Sequence, residues 1–366
     1  MDKNIKSIFN ELDKLNKDST MLSDNTLSVV DDWIDTGSYA LNAICSGSLY
    51  KGIPVGRITG LAGPSGCGKT LLMLKIMANA QKKGMIPVIW DSEAAADRQT
   101  AENLGCNADE IKYCPIDTVE DCRNQILSFL DKIIEDESLH GKFIIGLDSL
   151  GNLASKKELE DALSNKNASD MGLRAKVIKS MMRTMTYKCA QAKVPFIFSN
   201  HIYDDPASMF PSLIKNQGGG KGPTYLASLM VQMGMKQEKS DSKTDEAELL
   251  PIANKVKGIT LSAMTTKNRF VPPFLKTELY VNFLTGVSKY AGLKELAVAF
   301  GVIEQTGATY QFNGEKIGYA KTWENDPEFW NKCIPELENV LQTKLKYNKD
   351  ELGEIVNTEL PLNEEE

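Results

Sequence analysis

A chain of 366 residues with 42% hydrophobic and 25% charged residues has the composition of a globular protein with one large core and small appendages. No run approaches the roughly 20 apolar residues that a membrane helix needs, and the opening MDKNIKSIFNELDK lacks the apolar core of a secretory signal. The formal net charge of −7 is concentrated: residues 350–366 hold seven carboxylates and no Lys or Arg, which leaves the remainder formally neutral. A neutral body can carry a basic groove, so the acidity does not exclude a nucleic-acid partner.

Ile5, Ile8, Phe9, Leu12 and Leu15 recur at helical spacing and predict a short amphipathic helix. A polar stretch follows, containing one β-like run, Leu27–Val30. From about residue 54 short apolar runs (57–62, 87–90, 142–147 and 194–199) alternate with helical patterns near 70–81, 118–135 and 173–192. Strands alternating with helices imply βαβ units and a mainly parallel sheet. Later runs (229–233, 259–265 and 275–283) lack long helices between them and predict extra strands at one edge. Beyond about Tyr290 a small mixed segment follows, whose Tyr310, Phe312, Trp323, Phe329 and Trp330 read as core. The seven cysteines lack paired metal-ligand spacing; with Cys67 in a glycine-rich loop and Cys45 in an expected helix, all are read as reduced cytosolic thiols. The acidic tail reads as a solvated, disordered segment.

Gly63-Pro64-Ser65-Gly66-Cys67-Gly68-Lys69-Thr70 fits GxxxxGK[ST] completely, after a strand (RITGLA) and before a helix (LLMLKIMANAQ). Glycines let the backbone N–H groups wrap a phosphate, Lys69 reaches the β- and γ-phosphates of ATP, and the Thr70 hydroxyl binds Mg²⁺. The helix presents its positive end to the anion. A chance glycine turn rarely has this flanking context. Phe143–Asp148 is an apolar run ending in an acid, and Asp148 is placed to orient a Mg²⁺-bound water. Glu93, past the end of VIWDSE, is a carboxylate able to take a proton from an attacking water. Alone it would read as a solvated loop residue.

Over about residues 27 to 300 the chain resembles the RecA family of DNA strand-exchange recombinases, most closely the UvsX-type branch of T-even phages. DSLGNLASKKELEDAL and WIDTGSYALNAICSG followed by PVGRITGLAGPSGCGKT carry the resemblance. It implies that Glu93 is the catalytic glutamate, in DSE where bacterial RecA has DAE. It further implies that Asp97 contacts the adenine and that Asp148 and Ser149 form the DS pair at the Mg²⁺ site. His201, in FIFSNH, falls where bacterial RecA has a γ-phosphate-sensing glutamine and UvsX-type proteins have histidine; a lone histidine after a buried strand is otherwise structural. Lys267 and Arg269, in TKNRF, match cations set against the ATP of the adjacent subunit, where they would neutralise the transferring phosphoryl group. The plain alternative is two exposed basic residues on a strand.

Two loops are expected to line a filament axis. The first, about 154–171, leads into MGLRAKVIKSMMR, where Met171, Lys176, Lys179 and Arg183 match positions near the DNA backbone. Spacings of three and four put the three cations on one helix face, suited to phosphates and blind to sequence. As a bare charge run it would read as a solvated helix face. The second loop, about 202–223, carries Phe210 as an aromatic wedge, with Lys215, Gly218, Gly219 and Lys221 near phosphates.

The reading implied is an α/β, RecA-like P-loop ATPase core with a mainly parallel sheet flanked by helices. Its segments are 1–32 (helix and linker for subunit packing), 33–300 (ATPase core with DNA-binding loops), 301–349 (small C-terminal region) and 350–366 (acidic tail). Its expected function is a DNA-dependent ATPase that filaments on single-stranded DNA and exchanges strands with duplex DNA. It would act in the cytoplasm of a bacterial host, with a loading mediator and a single-strand-binding protein as helpers and no membrane. The rivals are a RecA-fold hexameric helicase, a non-exchanging regulatory filament and a small-molecule kinase.

Overall fold

The computed structural model describes residues 3–16, 18–164, 172–203, 213–235, 258–282 and 286–345. In chain order the elements are α1 (Lys3–Leu15), β1 (Trp33–Ile34), α2 (Tyr39–Ser46), β2 (Ile53–Pro54), β3 (Ile58–Gly63), α3 (Lys69–Lys82), β4 (Ile86–Asp91), α4 (Arg98–Asn103) and β5 (Lys112–Pro115). They continue through α5 (Val119–Glu135), β6 (Phe143–Asp148), α6 (Lys156–Leu163), α7 (Leu173–Ala192), β7 (Phe196–Tyr203), β8 (Asn216–Gln217), α8 (Gly222–Leu226), β9 (Leu229–Met235), β10 (Gly258–Asn268) and β11 (Lys276–Asn282). The last are β12 (Gly286–Val287), α9 (Leu293–Ala299), β13 (Ile303–Thr306), β14 (Thr309–Phe312), β15 (Glu315–Gly318) and α10 (Pro327–Lys344).

The main sheet runs β12-β11-β10-β9-β3-β7-β6-β4-β5, with β8 paired to the end of β7. From β9 to β5 every neighbour is parallel, while β10, β11 and β12 add antiparallel at the β9 edge. The apolar runs of the parallel strands are continuous because both sheet faces are covered. Period two divides them: Ile89, Ile144 and Ile197 pack with α2 and α3, while Val88, Trp90, Ile145, Leu147, Phe196 and Phe198 face α5 and α7. A third cluster gathers α9, β13, β14 and α10 around Trp330 and includes Trp323 and Tyr310, with Phe312 and Phe329 packed against it.

Glu338 on α10 clamps this third cluster to the core, accepting 2.6 Å bonds from the Ser48 hydroxyl and the Leu49 N–H. All seven cysteines are free thiols. Among the described residues no helix is long and apolar enough to cross a membrane.

Three expectations need correction. The Leu27–Val30 run is not a strand; pairing falls instead at β1, against β2, because that segment meets a partner edge. The first loop contains α6, started by a capping box in which the Ser155 hydroxyl accepts from the Glu158 N–H while the Glu158 carboxylate takes the Ser155 N–H. The second loop likewise holds β8 and α8 within its described part. The acidic tail lies outside the described residues.

Candidate nucleotide and DNA site

The parallel strands β3, β4, β6 and β7 all end at one edge of the sheet, and the site is assembled there. Gly63–Thr70 bridges β3 to α3, with Gly66 at φ +75° and Gly68 at φ +74°, left-handed values that a side chain would strain. The Lys69 ammonium folds back into the loop, donating to the carbonyls of Gly63 (3.0 Å) and Pro64 (2.8 Å). Among the described residues no carboxylate pairs with Lys69, so its charge is left to a phosphate. Cys67 is fully buried, and burial raises its thiol pKa even beside Lys69, so it is held as a neutral thiol.

Thr70 and Asp148 are in contact: the Thr70 hydroxyl donates to Asp148 Oδ2 at 2.5 Å, and the Ser199 hydroxyl donates to Oδ1. Burial pushes the Asp148 pKa up, and nearby Glu93 and Asp91 add to that, against the two hydroxyl bonds. A carboxylate kept costly by burial and like charge favours a cation, so the Thr70–Asp148 pair fits Mg²⁺.

Glu93 sits between Ser149 and His201. Its Oε1 takes the Ser149 hydroxyl at 2.6 Å and lies 2.9 Å from His201 Nε2. Partial burial works to raise its pKa, but the bonds from Ser149 and His201 and the charge of Lys69 outweigh it, so the carboxyl is held below its ordinary value. It is thus held anionic at neutral pH, with a free lone pair for a proton but as a weaker base than an ordinary carboxylate.

Sequence reasoning missed Asp91. Its carboxylate is 2% exposed and accepts from the backbone N–H groups of Glu93 (2.8 Å), Ala95 (3.0 Å) and Ala96 (3.1 Å). It therefore folds the turn that carries Glu93. The D-S-E order offered a signal, since an Asp after a strand often bonds N–H groups a few residues on. Asp97 caps α4 through the Thr100 N–H (3.0 Å) and hydroxyl, and it lines a cavity of about 200 Å³ with Leu74, Ile89 and Tyr113.

Lys267 and Arg269 stand elsewhere. Lys267 donates to the carbonyls of Thr224 (3.0 Å) and Tyr225, while Asn268 between them ties β10 to α2 through the carbonyls of Ile44 and Cys45. Burial, with Arg269 adding to it, lowers the Lys267 pKa to about 8. Arg269 is exposed and lines a cavity of about 750 Å³ with Lys51, Arg57 and Arg183, to which no residue of the phosphate loop contributes.

The glycines of the second loop lie against α7. A Cβ on Gly219 (φ +81°) would stand 2.8 Å from Ile178, and one on Gly222 would stand 3.2 Å from the Lys179 Cβ. This contact brings Gly218, Gly219 and Lys221 to the end of α7 where Lys176 and Lys179 are exposed. Arg183 is exposed further along the helix; Lys215 is fixed through its N–H to the Gln232 side chain. Met171 and Phe210 lie outside the described residues.

The strand order, phosphate loop, Thr70–Asp148 contact and adjoining glutamate together define a P-loop ATPase of the doubly wound α/β class. Residues 3–288 match the RecA N-terminal domain. The chain is similar to Protein RecA of Colwellia psychrerythraea (30% identical over 325 residues, 89% of this chain and 86% of that protein). It is likewise similar to Protein RecA of Frankia alni (30% over 347 residues, 94% and 92%) and of Paracoccus denitrificans (28% over 357 residues, 93% and 93%).

The chain belongs to the RecA family. It is a DNA-dependent ATPase of homologous recombination and DNA repair, in a family that uses ATP with magnesium, binds DNA and forms filaments.

Proposed function

We propose that the chain assembles head to tail into a helical filament on single-stranded DNA and exchanges strands with homologous duplex. In this reading each ATP site is closed by Lys267 and Arg269 of the next protomer. The carrying observation is the separation of those two cations from their own phosphate loop. Lys267 lies on β10 and Arg269 just past its end, and among the described residues neither pairs with a carboxylate.

Within one protomer, Gly63–Gly68 and Lys69 would hold the phosphates of ATP, and Thr70 with Asp148 would hold Mg²⁺. Bound Mg²⁺ supplies charge neutralisation at the phosphates. Glu93 accepts the proton of the attacking water, His201 reports the γ-phosphate to the second loop, and Asp97 contacts the adenine while capping α4. Lys176, Lys179, Arg183, Lys215, Lys221, Gly218 and Gly219, with Met171 and Phe210, would contact DNA, leaving sequence selection to base pairing. The exposed Ile8 and Leu12 on α1 favour packing of that helix on a neighbour. Head-to-tail contacts produce a filament where their rotation does not close into a ring.

His201 and the run DSLGNLASKKELEDAL favour the UvsX-type branch, with a phage origin, action in the bacterial cytoplasm, a loading mediator and a single-strand-binding partner. The test is complementation in trans. Lys69→Ala protomers keep the cations, and Arg269→Ala protomers keep the phosphate loop. Mixing two inactive variants should restore ATP hydrolysis at mixed junctions; no recovery at any ratio would refute the shared site.

A further inference from the structure

Ser92 separates the carboxylate that folds the turn from the glutamate beyond it, and its hydroxyl bonds to backbone groups of Asp148 and Ser149 rather than to either. It meets the backbone of Ser149 on each side: it accepts from the Ser149 N–H at 3.0 Å and donates to the Ser149 carbonyl at 2.9 Å. The Ser92 N–H donates to the Asp148 carbonyl at 2.6 Å, and the Ser92 carbonyl takes the Asn152 side-chain amide at 2.6 Å. Ser149 is fully buried, so water competes little for its own backbone groups. Ser149 in turn donates to Glu93 Oε1 at 2.6 Å.

We propose that Ser92 is a positioning residue for ATP hydrolysis: its hydroxyl fixes the Ser149 backbone, which aims the Ser149 hydroxyl at Glu93 and sets where that carboxylate meets water. This rests on Glu93 being the proton acceptor. One hydroxyl that satisfies both the donor and the acceptor of a single residue leaves its side chain little freedom to swing. Without it, Ser149 keeps its place in the chain but loses the restraint on its direction. Glu93 would then be held by His201 alone, facing Lys69 across the site and Asp148 beside it.

The experiment compares Ser92→Ala, and the shape-matched pair Ser92→Thr and Ser92→Val, in steady-state ATP hydrolysis with single-stranded DNA. Thr keeps the hydroxyl that Val lacks, so a general packing effect strikes both. Ser92→Ala and Ser92→Val should lose kcat by about tenfold, part of the roughly 10²–10⁴ that a placed proton acceptor supplies. KM for ATP should hold, because among the described residues no hydrogen bond runs from Ser92 to the phosphate loop.

Ser92→Thr should restore kcat. Ser149→Ala should reproduce the loss, and Ser92→Ala on top of it should add nothing. Additive losses, a raised KM with kcat unchanged, or equal damage from Thr and Val would overturn the assignment. Glu93→Gln separates the two readings. If Glu93→Gln is inactive while Ser92→Ala is like wild type, only the Ser92 role falls; if Glu93→Gln stays active, the Glu93 reading falls with it.

Discussion

Replacing Asp91 with asparagine isolates what a single buried carboxylate does for the site. Its two oxygens face three backbone N–H groups, and Tyr113 donates to Oδ2 at 3.3 Å. Asparagine keeps the shape but has only one acceptor oxygen. If that oxygen stays with Ala95 and Ala96, the amide nitrogen confronts the Glu93 N–H, donor against donor. A hydrogen bond to a charged group contributes about 1.5–3 kcal/mol, and an orphaned buried donor costs about 1–3 kcal/mol. These overlap, so Asp91→Asn should cost about 2–4 kcal/mol, read as a lower urea midpoint at unchanged slope.

The turn that relaxes carries Glu93, so kcat for DNA-stimulated hydrolysis should also drop, by tenfold or more, a fraction of the roughly 10²–10⁴ attributed to a placed base. KM for ATP should change little, because Lys69 and its loop carbonyls are untouched. A variant that is destabilised yet hydrolyses ATP at the wild-type rate would refute the link between this turn and the reacting water.

Lys267 gives a pH prediction. Its lowered pKa of about 8 means that its charge is present below that pH and is lost as pH rises through it. The basic limb of kcat/KM should fall near pH 8, and Lys267→Arg, whose guanidinium stays charged, should carry the limb past about pH 9; a wild-type profile flat through about pH 9 contradicts this. Gly219→Val combines a left-handed φ of +81° with a clash on Ile178, so it should weaken single-stranded DNA binding at least about tenfold by fluorescence anisotropy at fixed salt. Glu338→Leu removes the acceptors of the Ser48 hydroxyl and the Leu49 N–H and should cost about 2–4 kcal/mol in urea unfolding, a loss near zero refuting the clamp.

What the sequence revealed follows from how local each signal is. The phosphate loop was readable because its function is executed by its own backbone, so motif and geometry coincide over eight consecutive residues, 63–70. The parallel strands were readable because burial on both faces leaves continuous apolar runs. β5 escaped notice because, as an exposed edge strand, Lys112–Pro115 has no apolar pattern to show. The Leu27–Val30 run misled in the opposite sense, since a β-like sequence makes no strand without an edge to pair with. α6 could have been found from Ser155 and Glu158 at capping-box spacing, but its polar surface resembles a loop. Asp91 and Ser92 stayed hidden because their roles lie in bonds to a turn and to β6's end, fixed only by the tertiary fold.

The most direct test of the whole account is ATP hydrolysis with and without single-stranded DNA, measured beside joint-molecule formation with homologous duplex, for wild type and Lys69→Ala. Hydrolysis should be stimulated by DNA and joint molecules should form, with both lost in the variant. Hydrolysis indifferent to DNA, or stimulated hydrolysis that unwinds duplex without forming joint molecules, would contradict it.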